Sequence, residues 1–302
     1  MSKSIGLIGC GRWGANILRD LRQLGCQVHV VVPNSPGSSD RALFGGAKTI
    51  VHDIEELPAV DGIVIAVPTS LHSSIIESVL PLGVAIFVEK PFVTDLASAR
   101  SLTERAGDRI FVMDKWRYVA GVRTLGQLLR GGRLGTPEGL RTVRIDGDSA
   151  HDDVDAAWIL APHDLSIALE ILGEVPLPEV AVCSGRGRHL DLTVSGRTSI
   201  AWHHLHISSR SSRAERRIEV LGSEATAVLD GGWGDAASVY HRAPDGALAC
   251  EIVPVSGELP LLAELRAFVG YLDGGPRPVS SAEDATRIVA AIASARVIAG
   301  LA

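Results

Sequence analysis

The sequence lacks any C-x-x-C pair, and its four cysteines (Cys10, Cys26, Cys183, Cys250) are scattered through 302 residues. That pattern indicates neither a zinc site nor a disulfide framework, no metal is expected, and a reducing cytoplasm is the expected compartment. The sequence also lacks an unbroken apolar run of membrane-spanning or secretory type. Its first apolar stretch is interrupted by Gly6, Gly9 and Gly11 and then meets Arg12, so it has no signal-peptide core. The C-terminal segment ATRIVAAIASARVIAGLA carries Arg287 and Arg296, two charges that are costly at bilayer depth, and reads as a buried or docking helix. Positive charge is not in surplus. A net charge of −6 argues against nucleic acid or an anionic membrane as the main partner. Internal repeats and low-complexity segments are absent too. With 46% hydrophobic and 21% charged residues the chain reads as a globular protein long enough for two domains.

What is present begins at SIGLIGCGRWGANILRDLRQLG, a short apolar run, three glycines and a helical pattern in which Ile17, Leu18, Leu21 and Leu24 share one face. Gly9, Gly11 and Gly14 form G-x-G-x-x-G between strand and helix. The first glycine allows the turn, the second lets backbone approach a pyrophosphate, and the third lets helix and strand pack closely. The helix N-terminus, with Arg12 and Trp13, then offers N–H groups to the phosphates. A plain strand-to-helix turn would need only the first of these features.

A second strand, CQVHVVV, ends at PNSPGSSDR. An NAD site usually has Asp or Glu about twenty residues beyond the third glycine to bind the ribose hydroxyls. Here Pro33, Asn34 and Ser35 occupy that position, and Ser35, Ser38 or Arg41 could contact a 2′-phosphate. NADP is therefore slightly favoured over NAD, the other reading being that Asn34 bonds the ribose of NAD. Two more buried strands follow. DGIVIAVPTSLH runs into Val67, Pro68, Thr69 and His72, and VAIFVEKPF ends on Glu89 and Lys90. Ligands of parallel α/β sheets sit at the carboxyl ends of the strands, so these residues stand where cofactor and substrate chemistry takes place.

The combination of G-x-G-x-x-G, VPTSLH and VEKPF, followed by VMDKWRYVAGVRTLGQLLRGGRLGTPEGL, resembles the glucose–fructose oxidoreductase/inositol dehydrogenase (Gfo/Idh/MocA) family. The resemblance is strongest over residues 3 to 140. It implies a Rossmann domain with a parallel sheet (1–117), then an α+β domain with a large, open, mostly antiparallel sheet (118–302) for substrate binding and for homodimer or homotetramer formation. Strand-like runs at 140–146, 179–183, 190–194, 198–208, 215–221 and 225–230 agree with it, as does an amphipathic helix from about Ala282. RSSRAERR and GGWGDAA read as connections.

The resemblance also implies hydride transfer between nicotinamide and an alcohol or ketone carbon of a sugar, nucleotide sugar or cyclitol. It assigns cofactor contacts to Gly9, Gly11, Arg12, Trp13, Asn34, Ser35, Val67, Pro68, Thr69, His72, Glu89 and Lys90. Lys90 and His163 are the expected catalytic groups, since alcohol oxidation needs a base and a stabiliser of the alkoxide. The bland alternatives are a surface ion pair for Lys90 and a structural histidine for His163.

Two departures from the family pattern bear on that role. In WILAPHDLSI the relatives' Asp, four residues before the histidine, is Ile159, and Asp114 stands where several relatives have His. These changes leave open an imine reductase of a biosynthetic pathway, or a dinucleotide-binding protein without catalysis. Pro162 is read as the start of a helix HDLSIALEIL, with Asp164 as an N-terminal charge rather than a catalyst. Asp152, Asp153 and Asp155 could supply a carboxylate from the preceding loop. Trp202, His204 and His206 fall on one strand face and His203 with Leu205 on the other, too few ligands for a metal. Arg210, Arg213, Arg216 and Arg217 form either a phosphate clamp or a solvated turn.

Overall fold

A computed structural model describes residues 2–33, 36–147, 153–243 and 245–301. The chain divides into two compact units, Met1–Asp114 with Leu259–Thr286, and Lys115–Glu258 with Arg287–Ala302. Each is described by itself.

The first unit is built on strands β1 (Ser4–Ile8), β2 (Gln27–Val31), β3 (Thr49–Val51), β4 (Gly62–Ile65), β5 (Ala85–Glu89) and β6 (Ile110–Met113). They form a wholly parallel sheet in the order β3-β2-β1-β4-β5-β6, the doubly wound arrangement of a dinucleotide fold. Its crossover helices are α1 (Arg12–Gln23), α2 (Pro36–Phe44), α3 (His72–Val79) and α4 (Leu96–Ala106). Strands buried on both faces read as continuous apolar runs, which is why IGLI, GIVI and AIFV lack polar alternation. Later in the chain, α7 (Pro260–Leu272) adds Leu261, Leu265 and Phe268 to the same core as Ile5, Leu7 and Val64. Phe268 stacks on Phe87 of β5 at 5.0 Å between ring centroids.

The second unit contains α5 (Ala120–Arg130), β7 (Pro137–Ile145), α6 (Ala156–Leu172), β8 (Leu177–Arg186), β9 (His189–Arg197) and β10 (Trp202–Ser208), then β11 (Glu215–Gly222), β12 (Ala225–Asp230), β13 (Ala236–Arg242) and β14 (Leu248–Pro254). Among the described residues these strands make an eight-stranded sheet, β14-β13-β12-β11-β7-β10-β9-β8, antiparallel except where β10 pairs with β7. Val122 and Leu125 of α5 and Ile167 and Ile171 of α6 share a core with Leu140, Val220 and Leu229 of the sheet. The helix α8 (Ala282–Ile298) follows near the C-terminus.

Four sequence expectations are corrected here. The helix containing His163 starts at Ala156, not Pro162. Asp155 is its N-cap, its carboxylate accepting from the N–H groups of Ala157 and Trp158, and Pro162 lies inside the helix. Asp164 therefore sits beyond the first turn, where an N-terminal charge has no special effect. GGWGDAA is only partly a connection, since β13 begins at Ala236. RSSRAERR likewise runs into β11 at Glu215.

Candidate active site

The glycine loop shows three different surroundings for its three glycines. Gly9 has φ +95°, and a Cβ there would stand 2.5 Å from the Ala66 carbonyl oxygen. Its N–H donates to the Val31 carbonyl at 2.9 Å, extending the parallel β1–β2 ladder into the loop. A Cβ on Gly14 would stand 2.4 Å from the Gly9 oxygen, so only glycine lets α1 lie this close to the loop. At Gly11 nothing lies within 4 Å of the would-be Cβ. Gly11 is also the N-cap of α1 and brings no capping side chain. The first N–H groups of α1 are thus left for an anion beside open space, and the residues fit a dinucleotide pyrophosphate.

Around that loop, at the carboxyl edge of β1, β4 and β5, the structure gathers most of the expected cofactor residues of the first unit. Arg12 is exposed, and Trp13 donates from Nε1 to a carboxylate oxygen of Glu89. The other Glu89 oxygen accepts from the Lys90 backbone N–H at 3.1 Å. Lys90 itself is half-buried. Val67 is half-buried, Pro68 exposed and Thr69 buried in the short 3₁₀ turn before α3. His72 is 1% exposed, with Nδ1 2.8 Å from the Pro91 carbonyl oxygen and Nε2 3.1 Å from that of Val67. Burial pulls its pKa below the ordinary histidine value, against the opposing pull of these carbonyls and of Glu89. Asn34 and Ser35 lie outside the described residues. From α2, Arg41 donates to the Cys10 carbonyl at 2.9 Å and to Ser38 Oγ at 3.3 Å, which sets a guanidinium against the glycine loop.

In the second unit His163 is 9% exposed, on a helix buried almost throughout. Its ring lies 6.3 Å from that of Trp116, and Trp116 in turn lies 5.0 Å from Trp233. Asp164 is not available for chemistry: it is buried against Arg144. Ile159 is 6% exposed and packed in the same helix. Of the upstream carboxylates, Asp155 caps the helix and pairs with Arg296, Asp153 is exposed, and Asp152 lies outside the described residues. Asp114 is 2% exposed at the end of β6.

The arginine cluster does not converge on one point. Arg216 pairs with Asp146, Arg217 with Glu219 and Asp230, and Arg210 donates to Ser184. Arg216 and Arg217 are also neighbours in a strand and point to opposite faces. The phosphate-clamp reading is therefore abandoned. The histidine alternation is as expected: His203 and Leu205 are buried, and Trp202, His204 and His206 face the other way. Sequence reasoning missed Arg144 and Trp116, whose only signal was a charged and an aromatic residue in otherwise mixed surroundings.

Comparison with known proteins bears on this geometry. Residues 3–111 match the family described as oxidoreductase family, NAD-binding Rossmann fold. The chain is 32% identical over 143 residues to a D-apiose dehydrogenase of Paraburkholderia graminis, covering 43% of this chain and 37% of that protein. It is 28% identical over 186 residues to an inositol 2-dehydrogenase of Streptomyces avermitilis, covering 53% and 54% respectively. The matched segments thus span between about a third and a half of these relatives' lengths. A solved UDP-N-acetylglucosamine 3-dehydrogenase from Acidithiobacillus ferrooxidans aligns with a TM-score of 0.83 at 22% identity, over 99% of this chain and 98% of that one. At that identity the likeness concerns the fold. Among the described residues no helix is long and apolar enough to cross a membrane, and no cluster of three or more metal-binding side chains is found.

Proposed function

We propose that the chain, whose residues 3–111 match the NAD-binding oxidoreductase family, is an NAD(P)-dependent oxidoreductase of the Gfo/Idh/MocA type acting on a CH–OH group. The substrate class is a sugar, nucleotide sugar or cyclitol, in keeping with the names of the relatives. The observation that carries this reading is the Glu89–Lys90 pair at the carboxyl end of β5, two strands from a glycine loop shaped for a pyrophosphate. The first unit binds the dinucleotide and the second supplies substrate contacts.

The nicotinamide, when bound, supplies the hydride acceptor or donor. The loop of Gly9, Gly11 and Gly14 holds the phosphates, with Arg12, Trp13, Val67, Pro68 and Thr69 along the same sheet edge. Lys90 holds the substrate oxygen, and its ammonium favours the negative charge that grows there as hydride leaves. His163 takes or returns the hydroxyl proton. NADP is favoured over NAD because residues 32–39 contain no carboxylate and Arg41 stands against the loop.

Exposed Val180 and Val182, neighbours on the edge strand β8, support self-association into a homodimer or homotetramer through the open sheet, which light scattering would measure. Four free cysteines fit a cytoplasmic setting. The test of the central reading is reduced-cofactor absorbance with purified protein, NADP and NAD, and a panel of sugars, nucleotide sugars and cyclitols. Turnover on a member of that panel is expected. Cofactor binding without turnover on any of them, or on the matching ketones, overturns it.

A further inference from the structure

Backbone pairing between β4 and β5 ends at Ile65 and Val88. Past that register Ala66 still donates to the Ile8 carbonyl and Glu89 still pairs with Met113 of β6 before the two chains leave the sheet, one through Val67 toward α3 and the other through Lys90, Pro91 and Phe92. The half-buried Lys90 therefore stands just past the last rung of the ladder, on a segment that the parallel hydrogen bonds no longer fix. A histidine side chain crosses that gap. His72, the first residue of α3, directs Nδ1 at the carbonyl oxygens of Pro91 (2.8 Å) and Phe92 (3.3 Å), and Nε2 at that of Val67 (3.1 Å).

We propose that His72 is a positioning residue that clasps the segment leaving β5 to the segment leaving β4, and so sets where the Lys90 ammonium stands. The claim about Lys90's chemistry rests on the function proposed above. The clasp itself rests on geometry alone.

The chemistry of the partners gives the clasp a direction. Carbonyl oxygens only accept, so every contact His72 makes here requires an N–H from the ring. A neutral imidazole has one. Two carbonyls converge on Nδ1 and one on Nε2, so the proton belongs on Nδ1, where it bonds across the gap to Pro91. The Val67 contact is local, five residues back along the same loop, and does not tie the two segments together. The ring is 1% exposed, so water does not compete for the Nδ1 proton. The functional consequence is mechanical: the residue that follows directly on the clasped Pro91 is Phe92, itself 1% exposed, and the residue before it is Lys90. Anchoring Pro91 on one side and the Lys90 N–H on Glu89 on the other leaves the lysine's backbone fixed from both directions.

The test uses full-length protein carrying His72→Phe, His72→Asn or His72→Gln. Phenylalanine keeps the bulk and loses every donor. The asparagine amide nitrogen falls near the position of Nδ1, whereas the glutamine nitrogen falls near Nε2. Hydrogen–deuterium exchange of peptides covering 88–93 should quicken at least about tenfold in His72→Phe, with the peptides of α1 unchanged. Acetylation of the Lys90 amine by a succinimidyl ester, followed by mass spectrometry, should quicken at least about threefold. His72→Asn should restore both toward the parent, and His72→Gln should not. If His72→Phe does not fold, the Asn and Gln pair carries the comparison.

On an accepted substrate, His72→Phe should lower kcat while the NADPH Kd stays within about threefold. Unchanged exchange and labelling in a folded His72→Phe, or equal behaviour of Asn and Gln, overturns the clasp. A parent protein that turns over no panel substrate overturns the function reading instead, and exchange and labelling still decide on His72.

Discussion

Arg144 of β7 and Asp164 of α6 form an ion pair of 2.6 Å with side chains 4% and 1% exposed. The Arg144 guanidinium also lies 4.3 Å from the centroid of the Trp116 ring. Burial pushes the Asp164 carboxyl upward, opposed by Arg144, Thr142 and Arg216. This pair replaces the helix-terminal charge expected from the sequence, and it predicts an asymmetry. Removing one partner, as in Arg144→Met, leaves a buried charge uncompensated and should cost about 3–5 kcal/mol in urea unfolding. The double variant Arg144→Met, Asp164→Leu should recover most of that loss. Equal losses for the single and double variants would mean that packing, and not charge, governs the site.

A second buried group predicts how stability depends on pH. His203 is 2% exposed, bonds Thr142 at 3.0 Å, and is pushed by burial down to about 3, with His204 adding to the effect. An unfolded chain protonates this histidine near its ordinary pKa of about 6.5. Between those two values the unfolded state holds a proton that the folded state refuses, so stability falls as pH falls. The slope is about 1.4 kcal/mol per pH unit from this one residue. Unfolding free energies from urea titrations of the parent and of His203→Gln between pH 7 and pH 4 should shift against the parent by roughly that amount per unit below about pH 6.5. Parallel curves would show that His203 titrates normally.

The glycine loop predicts a separation of folding from binding. Gly9→Ala and Gly14→Ala place a methyl within 2.5 Å of backbone atoms and should destabilise the first unit, which circular dichroism and thermal melts would register. Gly11→Asp meets no protein atom within 4 Å of its Cβ and should fold. Its carboxylate would stand where the pyrophosphate approaches, and it should abolish NAD(P) binding by calorimetry. Retained affinity in a folded Gly11→Asp protein removes the pyrophosphate assignment.

These three sites also show how far the sequence could be read. G-x-G-x-x-G and VEKPF announced their places, because strand, glycine turn and helix follow each other locally and the strand order agrees with them. The alternation of WHHLHI was equally local. The start of α6 was not legible, because a helix buried nearly all round has no polar face to give it a period, and Pro162 looked like a first turn. Strand β14 is mostly exposed, and β13 opens on two alanines that hardly mark its alternating burial in the sequence. Leu261, Leu265 and Phe268 are spaced for a helix face, but their partners in the first unit lie roughly 150 to 260 residues earlier in the chain, a distance that no local pattern encodes. The Arg144–Asp164 pair was hidden although it spans only 20 residues, because it joins a strand to a helix whose start was itself not legible.

Arg41 predicts the cofactor. Its guanidinium stands against the glycine loop, and residues 32–39 hold no carboxylate to repel a 2′-phosphate. Arg41→Ala should weaken NADPH binding by about tenfold or more, the worth of one charge-assisted hydrogen bond, and leave NADH nearly unchanged. Fluorescence titration with both nucleotides checks it. An equal loss for the two would assign Arg41 to holding the loop through its bond to Cys10.

Ile159 lies one helical turn before His163, at the i, i+4 spacing that sets two side chains on one face. If Lys90 and His163 share the proton transfer, Lys90→Ala and His163→Ala should each lower kcat by about 10²–10⁴ on an accepted substrate. NADPH affinity should change little for His163→Ala, which lies in the second unit. Ile159→Asp then asks what the missing carboxylate does. The site is 6% exposed, so the variant should lose stability, by an amount that denaturation measures. A carboxylate beside the imidazole favours its charged form, so the acid limb of the kcat profile should move to higher pH. A folded Ile159→Asp enzyme with an unmoved acid limb means that His163 is not the titrating base. Turnover that survives His163→Ala makes this histidine a structural residue of α6, packed near Trp116, and nothing more.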